Sequence, residues 1–257
     1  MTHRASAWRA DFLLFEKTSA SRFGSRKCSH CNVYHRAHGC NEGEHFMDDC
    51  SDHPPPPAAS IGIARQRAFD AAAFEQAVSD LLAACGIAAD AAHMGRTAQR
   101  VRELWQRRLL GGYDLDPAEA LGEGFADHRR DMVVIRGIAV HGVCPHHLVP
   151  FRGVAHVAYL PGGRLHGFGR IARLVDAIGH RFTYQEWMTR DIAEALMLHG
   201  KARGAACVIE AEQLCLLLGE DRRGDERVIT QSFTGEFEQS DQLRNEFLRA
   251  SGGRRAD

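Results

Sequence analysis

Cys144-Pro145-His146-His147 sets a thiol and an imidazole three positions apart. Cys and His at that spacing suit Zn2+, which is borderline soft and prefers sulfur and nitrogen donors. A third ligand is needed. Cys215 is the best candidate, because it falls in a polar interruption of an apolar stretch, whereas Cys85 and Cys207 lie among apolar residues and read as core cysteines. Three protein ligands leave a fourth position for water, whose pKa zinc lowers to about 7. His146, next to a ligand, is then left as general acid/base. A purely structural zinc site fits the same spacing, so the motif alone does not decide for catalysis.

Two further groups could hold a nucleotide. Arg170 and Arg173 are three apart, after Gly167 and Gly169, at the expected start of a helix. They share one helix face, and a helix N-terminus favours anions, so a phosphate chain fits there. The competing reading is a solvated helix face. Gln185-Glu186 opens the next helix. A carboxylate can accept two hydrogen bonds from the adjacent N–H groups of a guanine edge. It can equally answer the helix dipole.

These residues need elements to carry them. Residues 66–85 show Phe69, Ala73, Phe74, Ala77, Leu81 and Leu82 at helical spacing, with Gly86 to close the helix. A second helix is expected over about 93–110, with Val101, Leu104 and Trp105 on one face and Gly111-Gly112 as its end. Residues 132–140 and 153–160 read as strands, the second stopped by Pro161-Gly162-Gly163. Two helices follow, striped by Ile171, Leu174, Val175 and Ile178, then by Met188, Ile192, Ala195 and Leu196. Residues 205–218 and 226–233 are two more strands, and 239–250 a closing helix. Strands in sequential pairs joined by short turns favour antiparallel pairing, and helices grouped between the pairs give an α+β class.

The whole chain has 257 residues, 44% apolar and 25% charged, with a formal net charge of -1. That composition is globular, and the charge is not that of a general nucleic-acid binder. No stretch reaches the ~18 apolar residues of a membrane span. The apolar cluster Phe12 to Phe15 is too short for a signal-peptide core, which places the protein in the cytoplasm. Its 8 cysteines are then thiols or metal ligands rather than disulfides. Residues 1–60 stand apart. They hold 4 of the 8 Cys and 6 of the 15 His, lack a helical or strand period, and end in Pro54 to Pro57. They read as a disordered or weakly ordered extension, in which Cys28-Ser29-His30-Cys31 offers a loose second metal pattern. Residues 61–125 form an N-terminal helical region and 126–252 the catalytic part.

At the residues singled out above, the sequence resembles GTP cyclohydrolase I. The likeness covers about residues 65–250 and is carried by Met132 to Ile138, the Cys144-Pro145-His146-His147 loop, Val157 to Pro161, Gly167 to Leu174, Gln185-Glu186, Cys215 and Ser240 to Leu248. It implies the tunnelling fold (T-fold), in which antiparallel sheets and helices of several subunits close a barrel. It further implies a homo-oligomer, normally a decamer, with sites at subunit interfaces. Carried over, Cys144, His147 and Cys215 match the zinc ligands and His146 the catalytic histidine. Glu186 with Gln185 matches the guanine anchor, and Arg170 and Arg173 the basic pair near the triphosphate. Arg100 matches an arginine donated across an interface. The implied reaction is hydrolytic loss of C8 of GTP as formate, then sugar rearrangement and reclosure to 7,8-dihydroneopterin triphosphate, the opening step of folate and pterin synthesis.

The chain departs from the family pattern at four places. Pro145 replaces an acid, Gln213 a second catalytic histidine, Gly219 an arginine and Gly169 a serine. Residues 213 and 215 are expected on one strand face, which would put Gln213 beside the metal. Gln hydrogen-bonds but cannot shuttle a proton. Arg222 and Arg223 are the replacements at hand for the lost charge. Two other readings therefore stand beside the first: a purine-nucleotide ring-opening enzyme that stops at the formamide or takes a different nucleotide, and a non-catalytic homologue.

Overall fold

The computed structural model describes residues 62–88, 91, 93–219 and 226–252. The expectations for residues 1–60 and for Arg222 and Arg223 lie outside the described residues.

The frame is a four-stranded antiparallel sheet in the order β2-β3-β5-β6. Its strands are β2 (Val133–Val143), β3 (Pro150–Leu160), β5 (Gly204–Gln213) and β6 (Val228–Gly235). A separate two-residue pair joins β1 (Phe125–Ala126) to β4 (Arg164–Leu165). Two long helices, α4 (Phe168–Gly179) and α5 (Gln185–Leu198), cover one face of the sheet. The period of 2 assigns the residues to faces. Ala155, Val157 and Tyr159 of β3 and Ala205, Cys207, Ile209 and Ala211 of β5 point to Ile171, Leu174, Ile178, Met188 and Ile192. The even-numbered Ala158, Leu160, Ala206 and Val208 face the other way, onto Phe237 and Phe247 of α7 (Glu236–Gln239) and α8 (Asp241–Ser251). The α+β class and antiparallel pairing stand as expected.

The first helix, α1 (Ala71–Ala84), starts where Asp70 accepts from the Ala73 N–H at 3.0 Å. Only part of its apolar stripe is covered: Phe69, Phe74 and Leu82 are half-buried, while Ala73, Ala77 and Leu81 are exposed. The second helix is shorter than its pattern. α2 (Thr97–Leu104) gives way to a π-helical turn over Trp105–Leu109, and Leu104 is exposed rather than core. Gly111-Gly112 does not end the segment. Gly112 continues into a 3-10 turn and donates to the His180 carbonyl at 2.9 Å. A Cβ there would lie 2.8 Å from the Ala177 oxygen, so only glycine allows this approach. α3 (Pro117–Leu121) was not anticipated, although Asp116-Pro117-Ala118-Glu119 carries its start signal: the Asp116 side chain caps the Glu119 N–H at 3.0 Å.

Two cysteine and strand expectations are corrected. Cys85 caps α1 and is exposed, whereas Cys207 is buried as expected. The strand expected over 205–218 stops at Gln213, and 214–217 form a helical turn, α6 (Leu214–Leu217). The cause is the neighbouring strand: Gln213 pairs with Phe151, and β3 begins at Pro150, so the ladder has no partner further on.

Candidate active site

Three segments meet at one end of the sheet. The first is the loop between β2 and β3. Pro145 takes the second position of a tight turn, where a fixed φ near −65° is favourable. Leu148 closes the turn at φ 55, with its N–H on the Cys144 carbonyl at 2.9 Å, and the Cys144 N–H returns to Val149 at 3.0 Å. The turn thus aims Cys144 and His147 at one point, and Pro145 in place of an acid serves it.

The second segment is the start of α5. The Val143 N–H donates to the Arg181 carbonyl at 3.0 Å and the Thr183 N–H to the Val143 carbonyl at 3.1 Å. This stitch pins the α4–α5 connection to the end of β2, so Gln185 and Glu186 begin their helix beside the metal loop. The third segment is α6, delivered by the Phe151–Gln213 pairing. Cys215 is two residues beyond that pair. Although it lies on a helical turn rather than a strand, it reaches the other two ligands.

The Cys144 Sγ, the Cys215 Sγ and a His147 ring nitrogen all lie within 4.8 Å of one another, with Cys144 Sγ and His147 Nδ1 3.8 Å apart. A tetrahedral ion at ~2.3 Å from sulfur and ~2.0 Å from nitrogen needs ligand separations of roughly 3.5–3.8 Å. The donor set fits a borderline-soft divalent cation. Burial, and then the neighbouring Cys144 sulfur, push the Cys215 thiol up. A bound divalent cation would reverse that by favouring the thiolate.

Around this group, His146 is exposed, and its Nε2 lies 3.1 Å from the Tyr184 hydroxyl. Glu186 is exposed in the first turn of α5 and has no hydrogen bond or ion pair among the described residues. Gln185 is different. Its side chain is buried, and its amide donates to Ile209 O (3.1 Å), Val228 O (2.9 Å) and Thr230 Oγ1 (3.2 Å) while accepting from Gln213 Nε2 at 2.6 Å. An amide so fully engaged is a strut between α5 and β5–β6, not a free ligand for substrate. Gln213 is the other end of that strut. The shared strand face expected for residues 213 and 215 is not formed, because the strand ends at Gln213, whose amide nitrogen is held by Gln185.

The basic residues are elsewhere. Arg170 and Arg173 are exposed near the start of α4, while the Gly179 end of that helix abuts β2, where a Cβ on Gly179 would lie 3.1 Å from the His141 carbonyl. At 1.5 Å per residue, Arg170 is about 14 Å up the helix from that end. Arg100 is exposed on α2. One chain therefore brings together Cys144, His147 and Cys215, with His146 against Tyr184 and Gln213 against Gln185, while Arg100, Arg170 and Arg173 share no hydrogen bond or ion pair with them among the described residues.

Beneath the site, the rings of His141 and His180 stack at 3.8 Å, and His180 Nε2 lies 3.5 Å from Asp176 Oδ1. Burial, followed by the charges of His141 and Arg108, lowers the His180 pKa to about 4 from 6.5. The unfolded chain therefore binds more protons than the folded one between those values, and stability falls as pH drops through 6.5 toward 4. His180→Gln is expected to flatten that acid limb; the check is Tm against pH for both proteins.

The GTP cyclohydrolase I family model matches residues 74–252. GTP cyclohydrolase 1 of Ralstonia nicotianae is 74% identical over 202 residues, covering 79% of this chain and 97% of that protein. GTP cyclohydrolase 1 of Chromobacterium violaceum is 71% identical over 205 residues, covering 80% and 98%. That of Dehalococcoides mccartyi is 38% identical over 182 residues, covering 70% and 96%. With the α+β frame and a Cys-His-Cys group that could hold a metal ion, the class is that of cyclohydrolases. The chain belongs to the GTP cyclohydrolase I family.

Proposed function

We propose that this protein is a zinc-dependent GTP cyclohydrolase I that converts GTP to 7,8-dihydroneopterin triphosphate and formate. Family membership supports the reaction, and the observation that carries the site is the convergence of Cys144, His147 and Cys215, with His146 on the same loop. A zinc ion held by those three residues supplies a Lewis acid and a water of lowered pKa. The chain's own residues do the rest. Glu186 accepts from the N1–H and 2-amino group of guanine, which fixes the purine. His146 exchanges protons with the five-membered ring as C8 is removed. Gln185 and Gln213 brace the start of α5 against the sheet, so both groups keep their separation. Turnover of GTP to formate and a pterin tests this reading directly.

The site is completed by further copies of the chain, arranged as a T-fold homo-oligomer of decamer type. Both β2 and β6 are sheet edges, β2 over 11 residues and β6 over 8. Long open edges favour pairing with another chain. Leu81, Leu104, Phe168, Leu218 and Ile229 are exposed apolar side chains that assembly would cover. Arg170 and Arg173, about 14 and 9 Å along α4 from its Gly179 end, serve a neighbour's triphosphate, and Arg100 acts likewise. Mixed oligomers test this. Glu186→Ala and Arg173→Ala are each expected to be weak enzymes, and co-assembly of the two is expected to regain a substantial fraction of activity, because some sites receive both native residues. No regain on mixing, with co-assembly verified, would contradict the composite site.

A further inference from the structure

We propose that Tyr184 is a positioning residue for His146. Its hydroxyl holds the imidazole by Nε2 and leaves Nδ1 as the nitrogen that faces the substrate. The inference deepens the cyclohydrolase reading and rests on it for the role of His146.

Three observations carry it. The Tyr184 hydroxyl and His146 Nε2 are 3.1 Å apart, and this is the only side-chain hydrogen bond His146 makes among the described residues. The two rings lie 5.1 Å apart, so the phenol braces the imidazole by contact as well as by the hydrogen bond. Tyr184 is itself held. It precedes Gln185 as the N-terminal flanking residue of α5, and its carbonyl accepts from the Met188 N–H at 2.9 Å. Its ring meets Trp187 edge-on at 4.6 Å. The strut Gln213–Gln185 and the stitch Val143–Thr183 anchor the backbone on either side of it.

His146 needs such support. It sits on an exposed turn between two metal-loop residues, and a free imidazole there samples several rotamers and both tautomers. A phenol oxygen accepting from Nε2–H keeps the imidazole proton on that nitrogen and leaves the Nδ1 lone pair free. Nδ1 can then take up a proton and give it back to the ring being opened, while the Nε2 proton stays in place. The hydrogen bond also fixes the His146 ring relative to Glu186, since Tyr184 and Glu186 are two residues apart on the same rigid helix start.

The test uses Tyr184→Phe, which keeps the ring against Trp187 and removes only the hydroxyl. Assayed as the zinc-loaded full chain, it is expected to lose about tenfold or more in kcat with KM for GTP within about twofold and zinc content unchanged. In a His146→Ala background the same change is expected to have no further effect on kcat. A readout independent of turnover is carbethoxylation of His146 by diethylpyrocarbonate, followed by mass spectrometry. It is expected to run several-fold faster in Tyr184→Phe, while other histidines keep their rates. Unchanged kcat and unchanged His146 modification would overturn the proposal. So would a kcat loss as large in the His146→Ala background as in the native one. If the unaltered protein released no formate from GTP, the cyclohydrolase reading would fail, and the modification rate would still decide whether Tyr184 holds His146.

Discussion

Cys215→Ser is expected to empty the metal site and abolish turnover, while Cys207→Ser is expected to keep both. Structural zinc sites bind with about 10–16 kcal/mol, which over four ligands is roughly 3–4 kcal/mol each. Loss of one thiolate therefore weakens binding by about 10²–10³. Cys207 is fully buried in the layer under α4 and α5, and burial raises its pKa, so it behaves as a small neutral hydrophobe. A serine there leaves a buried hydroxyl to satisfy, at a cost of about 1–3 kcal/mol. The two variants should thus separate cleanly: Cys215→Ser loses zinc by metal analysis after dialysis, and Cys207→Ser loses thermal stability. Equal zinc retention in both would remove Cys215 from the ligand set.

Glu186→Ala is expected to erase the preference for guanine over adenine. A carboxylate accepts from N1–H and the 2-amino group of guanine, and adenine has no such pair of donors. Burying those donors without the carboxylate costs about 1–3 kcal/mol or more, which is roughly 5- to 150-fold in discrimination. Glu186 is free to do this because no side chain of the described residues engages it, in contrast to Gln185 beside it. Competition of GTP and ATP against turnover, in native and variant protein, measures the ratio. If ATP already competes as well as GTP in the native protein, Glu186 is not the anchor.

Much of this site was legible in the residues themselves. The C-x-x-H spacing of Cys144 and His147 is local, and the tight turn it forms brings the two side chains within 3.8 Å. The long, strongly periodic segments, α4 and α5, were found with their stripes intact because tertiary packing and local period agree there. Cys215 joins the group by a route that its sequence pattern did not show. A strand was expected through it, and the ladder ends at Gln213 because Pro150 starts the partner strand. Gln185 looked like half of a purine anchor, and only the three-dimensional positions of Ile209, Val228 and Thr230 show its amide to be internal. Tyr184 gave no signal beyond being an aromatic residue before a helix, since its partner His146 is 38 positions away. The exposed side of α1 and Leu104 were expected on apolar stripes, and they stay at the surface of the chain. Periodicity reports that a face is to be covered, not which chain covers it.

The most direct measurement is to load the protein with zinc, add GTP, and follow formate release and pterin fluorescence separately in the same reaction. Both signals are expected to rise together, in equal amounts, with removal of zinc by chelation stopping both. Formate without a pterin would contradict the full reaction and mark an enzyme that halts after ring opening. Neither signal, in protein shown to hold one zinc per chain, would contradict cyclohydrolase activity altogether.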